Sequence, residues 1–565
     1  MMLFRTVSTL AVLSIASLAF LPNQAMARGH AVISSSAPYY KSITRLQDEM
    51  RAGKITSEQI TRDFIRRIHM LDQHGPRVNS VIQLNPDALK IARERDQERK
   101  AGKAHGLLFG IPVLVKDNID SHDEMQTTAG SLALVGPAPL QDATVLAHLR
   151  AAGAVLLGKS NLSEWANFRS SHSSSGWSGR GGLTDNPYVL TRNACGSSSG
   201  SAAAVAAGFV TFSLGTETDG SLTCPASLNG IVTIKATLGL VSRAGIVPIS
   251  HSQDDPGPMT RSVRDAAIVL TALAGSDARD PATADADKHK TDYTKFLKAG
   301  DLKGKRIGVV CGLAGFNPEV DEVMDQSVAA LRAAGATVEP VKLPHLNDYG
   351  KAEMTVLLYE FKHDLNAYLA TRKGLKVKTL ADIIKFNRDH AAQEMPWFKQ
   401  DLFLRAEAKG PLTDKAYKDA LAKSKRLTGP EGIDAAIKAH KLDALMAPAS
   451  GPGWVTDLVY GDNVPTVGGG DSPAAVAGYP SITVPAGNIH GLPIGMTFFA
   501  GKWTEPTLIG IGYGFEQATH ARIRPHFLKH APRTAQVPTL LQEIHGIKSV
   551  KPADVPAVCP RQNNS

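Results

Sequence analysis

The chain has 565 residues, 43% of them hydrophobic and 20% charged. That is ordinary globular composition, and no internal repeat or low-complexity block divides it. The formal charge of +9 comes without a Lys/Arg block interleaved with aromatics, so it reads as a solvated basic surface and excludes nucleic acid as an expected partner.

In chain order, residues 1–27 read as a secretory signal peptide. Arg5 supplies the charge, Leu10 to Leu21 the short apolar core, and Ala25-Met26-Ala27 the cleavage site. The expected protein is therefore exported, periplasmic or secreted. The core is too short for a permanent span, so no stable membrane anchor is expected. Residues 42–72 read as two helices: Thr56 with Gln59 fits a capping box, and Ile60, Phe64, Ile68 and Leu71 share one face. Runs 107–115 and 154–158 read as buried strands, with Asp142 as the cap of a helix between them. Residues 201–208 suit a helix and 209–214 a strand. Further strands are expected at 306–310, 442–447, 481–484 and 494–500. Helices alternating with buried strands give an α/β class. One catalytic domain is expected over 28–545, with a proline-rich, weakly patterned mobile tail over 546–565.

Three segments carry chemistry. Lys116 ends the apolar run Ile111-Pro112-Val113-Leu114-Val115. Ser197 opens the small-residue run Ser197-Ser198-Ser199-Gly200-Ser201. Ser221 closes the turn Thr216-Glu217-Thr218-Asp219-Gly220-Ser221. Amide hydrolysis needs an activated nucleophile, an oxyanion site and an acid for the leaving nitrogen. Burial would lower the pKa of Lys116 and make a neutral amine available as base. Taken singly, Ser197 reads as a helix cap and Gly220-Ser221 as a plain loop. The run Gly196-Ser197-Ser198-Ser199-Gly200 also fits the G-x-S-x-G nucleophile elbow, with Ser198 as nucleophile. Thr191 to Cys195 before it does not read as the strand that an elbow requires. No Gly-Lys-Ser/Thr follows to make it a phosphate loop.

Together these segments resemble the amidase signature family. The resemblance implies a large mixed β-sheet core covered by helices on both faces. It also implies a Ser–Ser–Lys triad of Ser221, Ser197 and Lys116, with Ser197 relaying protons. The amides of Thr218, Asp219, Gly220 and Ser221 would form the oxyanion hole. Neither metal nor cofactor is expected. Two departures from the family pattern are Cys195 before Gly196 and the run Lys235-Ala236-Thr237; Lys235 reads as structural. The runs Asn161 to Arg169, Ser174 to Ser178, Gly239 to Arg243 and Pro248 to Asp254 are similar to the bacterial peptide amidase branch. That branch implies release of ammonia from C-terminal amides of peptides. Trp165, Trp177 and Ala474 to Pro480 read equally as pocket walls or as ordinary core and loop. Small aliphatic, aryl or lactam-type amides are the alternative substrates. A glutamine-amidase component of a transamidation complex is a further alternative, against which the export signal argues. The oligomeric state is left open.

There are four cysteines, Cys195, Cys224, Cys311 and Cys559, with no CxxC pair and no zinc spacing. Cys195 and Cys224 flank the two serines. The sequence leaves a bridge and two buried free thiols equally open.

Overall fold

The computed structural model describes residues 37–463, 470–533 and 556–560. The signal-peptide reading of 1–27 lies outside the described residues.

Thirteen strands form in chain order among the described residues: β1 (Val81–Leu84), β2 (Pro112–Lys116), β3 (Val155–Ser160), β4 (Trp177–Ser178), β5 (Gly182–Leu183), β6 (Phe212–Glu217), β7 (Val232–Lys235), β8 (Asp255–Thr260), β9 (Arg306–Val310), β10 (Thr337–Val341), β11 (Ala444–Pro448), β12 (Ser481–Ile489) and β13 (Leu492–Phe499). β4 and β5 make a small ribbon. The other eleven form one sheet in the order β1-β3-β2-β6-β8-β7-β12-β13-β11-β9-β10. Parallel pairs (β2 with β3 and β6, β9 with β10 and β11) stand among antiparallel ones, so the sheet is mixed. Every residue of β2, β3, β6, β7, β8, β11, β12 and β13 is buried. A strand buried at consecutive positions has both faces covered, and helices supply that cover.

Local signals decide much of this. Thr56 and Gln59 form the capping box of the helix Ser57–Arg67, and Ile60, Phe64 and Ile68 are fully buried beneath it. The apolar run ending in Lys116 is β2. Two readings need correction. Asp142 does not cap the helix Thr144–Ala151, whose N-cap is Ala143 with no side-chain bond; its carboxylate is engaged by the His122 N–H and by Arg150. The strand expected over 209–214 runs later, to Glu217, because Gly208 and Phe209 turn back on the preceding helix.

The reading of 546–565 as a mobile tail is also corrected at its described residues. Cys559 is disulfide-bonded to Cys311, Val558 is buried in the main core, and its N–H donates to Asp325 at 2.9 Å. All four cysteines are paired, since Cys195 is bonded to Cys224. The bridge, not the pair of free thiols, is the state of the two cysteines beside the serines.

Candidate active site

β2 and β6 run parallel and adjacent, with Val115 opposite Leu214. Their C-terminal ends therefore lie side by side and bring Lys116 against Thr216. The Lys116 side chain is fully buried. Its Nζ lies 2.6 Å from Ser197 Oγ, 3.0 Å from Ser198 Oγ, 2.9 Å from Thr216 Oγ1 and 3.2 Å from the Thr216 carbonyl. Burial pushes its pKa down to about 7, against the opposing pull of the Asp254 and Glu217 charges. Near neutral pH much of this lysine is a free amine.

The small-residue run after Ser197 becomes the helix Ser199–Ala206, buried at every position. Ser198 is also fully buried and is a structural hydroxyl. It donates to the Thr216 carbonyl at 3.0 Å and accepts the Thr216 N–H at 3.2 Å, which leaves it an acceptor toward Lys116. Ser197 is no helix cap, because its hydroxyl meets Nζ. Thr191 to Cys195 form isolated bridges rather than a strand, so the elbow geometry is absent.

Ser221 lies beyond β6, in a turn that Glu217 closes by accepting the N–H groups of Leu222 and Thr223 at 2.7 and 3.0 Å. Gly220 takes a positive φ of 75° there, a conformation that glycine adopts without steric cost. The turn's carbonyls are engaged. Thr218 O accepts from Gln253 Nε2 at 3.2 Å, Gly220 O from the Cys224 N–H at 3.0 Å, and Ser221 O from the Ser198 N–H at 3.3 Å. The N–H groups of Thr218, Asp219, Gly220 and Ser221 have no acceptor among the described residues. Ser221 Oγ accepts the Ser197 N–H at 3.4 Å. The Cys195–Cys224 bridge links the two serine loops covalently. Three segments distant in sequence thus place a buried amine, two hydroxyls and a set of free backbone donors together.

Carboxyl groups ring this turn. Thr218 Oγ1 donates to Asp254 at 2.6 Å, and Asp254 is pushed up to about 6 by burial, against its hydrogen bonds from Thr218, Ser250 and Ile249. Asp219 is held well above the ordinary carboxylate range, first by burial and then by the facing charges of Glu353 and Asp471. Ser472, on the helix Ser472–Ala477, donates to Asp219 at 2.9 Å. Sequence reasoning missed these partners. Only buried acids on an otherwise apolar helix face, Glu353 and Glu360 on Gly350–Thr371, signal them in advance.

For the two tryptophans the structure takes the core alternative. Trp165 is packed edge-on against Phe403 and Trp177 against Phe398, both buried in the core. Lys235 donates to the carbonyls of Ala236 and Tyr479, a structural role. A cavity of about 600 Å³ opens beside the turn, with Asn118, Thr216, Thr218, Ile249 and Tyr368 in its wall. As for metal ligands, His251, Glu360 and Asp364 converge within 4.8 Å, but the imidazole already bonds Asp364 at 2.8 Å and Glu360 accepts from Tyr417 at 2.6 Å.

A family model described as Amidase matches residues 59–509. Peptide amidase from Stenotrophomonas maltophilia has a crystal structure 51% identical to this chain, covering 87% of it and 99% of that protein, with a TM-score of 0.83. An Arabidopsis thaliana protein named as a probable amidase is 42% identical over 84% of this chain and 89% of its own length. A glutamyl-tRNA(Gln) amidotransferase component from Moorella thermoacetica is 35% identical over 86% of this chain and 98% of its own. With the mixed eleven-stranded sheet and these matches along most of its length, the chain belongs to the amidase signature family of amide hydrolases.

Proposed function

We propose that the protein hydrolyses the C-terminal carboxamide of peptides through an acyl-enzyme on Ser221. The observation that carries the chemistry is the path from Lys116 Nζ to Ser197 Oγ at 2.6 Å and from the Ser197 N–H to Ser221 Oγ at 3.4 Å. Ser221 Oγ, held by the Ser197 N–H, attacks the amide carbon while its proton goes to the Ser197 hydroxyl oxygen, which gives its own proton to the neutral Lys116 amine. The oxyanion is received by the free N–H groups of the Thr218–Ser221 turn. The same proton returns to the nitrogen, the C–N bond breaks, and ammonia leaves. Water then attacks the ester carbon by the reverse relay, giving the carboxylate and restoring the Ser221 hydroxyl.

The peptide amide is supported by the likeness to the Stenotrophomonas maltophilia enzyme. The cavity beside the turn falls in the volume range of ligand sites and leaves room for residues upstream of the amide. The two disulfides support an exported setting, where such bonds persist.

Ammonia release from one peptide in amidated and free-acid forms tests the reading, alongside glutamine and simple aliphatic and aryl amides. Ammonia from the amidated form alone, with internal bonds intact, is the expected result. Internal fragments from both forms, or turnover confined to the simple amides or glutamine, would overturn it.

A further inference from the structure

Gln253 links the helix Gly350–Thr371 to the turn that carries Ser221. It is 1% exposed, and its Nε2 donates to Thr218 O at 3.2 Å and to Glu353 Oε1 at 3.1 Å. The Thr218 carbonyl belongs to the same planar peptide as the Asp219 N–H. In a trans peptide these two groups point in opposite directions. Whatever fixes the carbonyl on one side therefore fixes the direction of the Asp219 N–H on the other. Glu353 in turn faces both Gln253 and Asp219, the residue that carries this N–H.

We infer that Gln253 is a positioning residue for amide hydrolysis: by holding the Thr218 carbonyl it aims the Asp219 N–H at the oxyanion, with Glu353 fixing the Gln253 amide. The inference rests on the proposed acyl-enzyme at Ser221. Neighbouring bonds leave this peptide dependent on Gln253. Asp254 holds the Thr218 hydroxyl, a side chain that rotates independently of the peptide plane. Ser472 holds the Asp219 carboxyl, also beyond a rotatable bond. Among the described residues, Gln253 is the group that bonds the Thr218 carbonyl. An aimed donor acts on the charge that develops in the transition state, so its loss lowers kcat rather than raising KM. Glu353 holds its proton above the ordinary carboxylate range because it is buried, in keeping with an uncharged bracing network.

The test compares wild type with Gln253→Met, which keeps length and volume without the donor. kcat for a peptide amide falls about 10- to 100-fold, a fraction of the loss seen when an oxyanion donor is removed outright, with KM unchanged. The Ki of a peptide boronic acid, whose tetrahedral adduct places an oxygen in the hole, rises by the same factor; the Kd of the product acid stays the same. Glu353→Gln, which keeps an acceptor for Gln253, retains kcat, whereas Glu353→Leu loses it in part. An unchanged kcat in Gln253→Met would overturn the inference. So would a rise in KM at constant kcat, or equal weakening of boronic acid and product acid. If Gln253→Met does not fold, the two Glu353 variants decide, and equal kcat in both would overturn it. Fluorophosphonate labelling of the wild type separates the two levels. Label away from Ser221 removes the acyl-enzyme reading itself, while label on Ser221 with undiminished Gln253→Met turnover removes only this inference.

Discussion

Lys116 makes no hydrogen bond to Ser221; the two are joined through Ser197, which meets Nζ with its hydroxyl and Ser221 Oγ with its N–H. In the proposed relay the Ser197 hydroxyl carries the proton and its N–H holds Ser221 Oγ, so the relay works only while Ser197 is present. Ser197→Ala and Lys116→Ala should therefore each lower kcat by about 100- to 10,000-fold. The double variant should be little worse than either single one, since members of one relay are not additive. Steady-state kinetics on a peptide amide measures this. Losses that multiply would mean that the two residues act separately.

The buried amine sets a pH dependence. As the proposed base, Lys116 acts only when unprotonated, and burial places its pKa at about 7. kcat/KM should rise with pH through about 7 to a plateau and fall tenfold per pH unit well below it. Lys116→Arg should be as inactive as Lys116→Ala, because guanidinium keeps its proton at every accessible pH. A flat profile between pH 5 and 9, or recovery in the arginine variant, contradicts the assignment.

Ser198 should be separable from Ser221. Its hydroxyl proton is committed to the Thr216 carbonyl, so Ser198→Ala removes a brace on Lys116 rather than a nucleophile. Losing such a hydrogen bond costs about 1 kcal/mol, roughly a fivefold effect on turnover. Mass-spectrometric mapping of a fluorophosphonate adduct should find Ser221 modified in this variant and no adduct in Ser221→Ala.

The two disulfides should differ in consequence. Cys195–Cys224 spans 29 residues and ties both serine loops, while Cys311–Cys559 spans 248 and pins residues 556–560 against the helix Pro318–Ala333. Each should contribute about 2–4 kcal/mol to stability. Replacing the second pair with alanine should lower Tm and leave kcat intact. Replacing the first should lower both. Equal kcat in the two variants would show that the serine loops hold their positions without the bridge.

What was legible from the chain was local. The Thr56–Gln59 box, the apolar run into Lys116 and the small residues after Ser197 each declare their structure within a few positions, because capping, burial and close approach act at short range. The residues that brace the turn do not. Gln253 lies in a run that carried a resemblance but no role, and Glu353 and Ser472 reach the turn from 100 or more residues further on. Trp165 and Trp177 stayed ambiguous because a large aromatic looks the same in a sequence whether it lines a pocket or fills a core. The cysteine pairing also depended on the fold, which alone brings Cys559 to Cys311.

Two glycines, hemmed in by their surroundings, limit how such a protein can change. A Cβ on Gly200 would stand 2.4 Å from the Asn161 carbonyl oxygen and 2.5 Å from that of Ser80; on Gly215 it would stand 2.7 Å from Ser198 Oγ. At these two positions a side chain has no room, whereas a Cβ on Gly220, beside Ser221, would meet nothing within 4 Å. Substitutions at Gly200 and Gly215 would return mostly failures. Variation that alters what the enzyme accepts has to come from elsewhere, from cavity-wall positions such as Ile249, Ala367, Tyr368 and Thr371. A lineage can rewrite its choice of substrate there while the reaction itself stays locked.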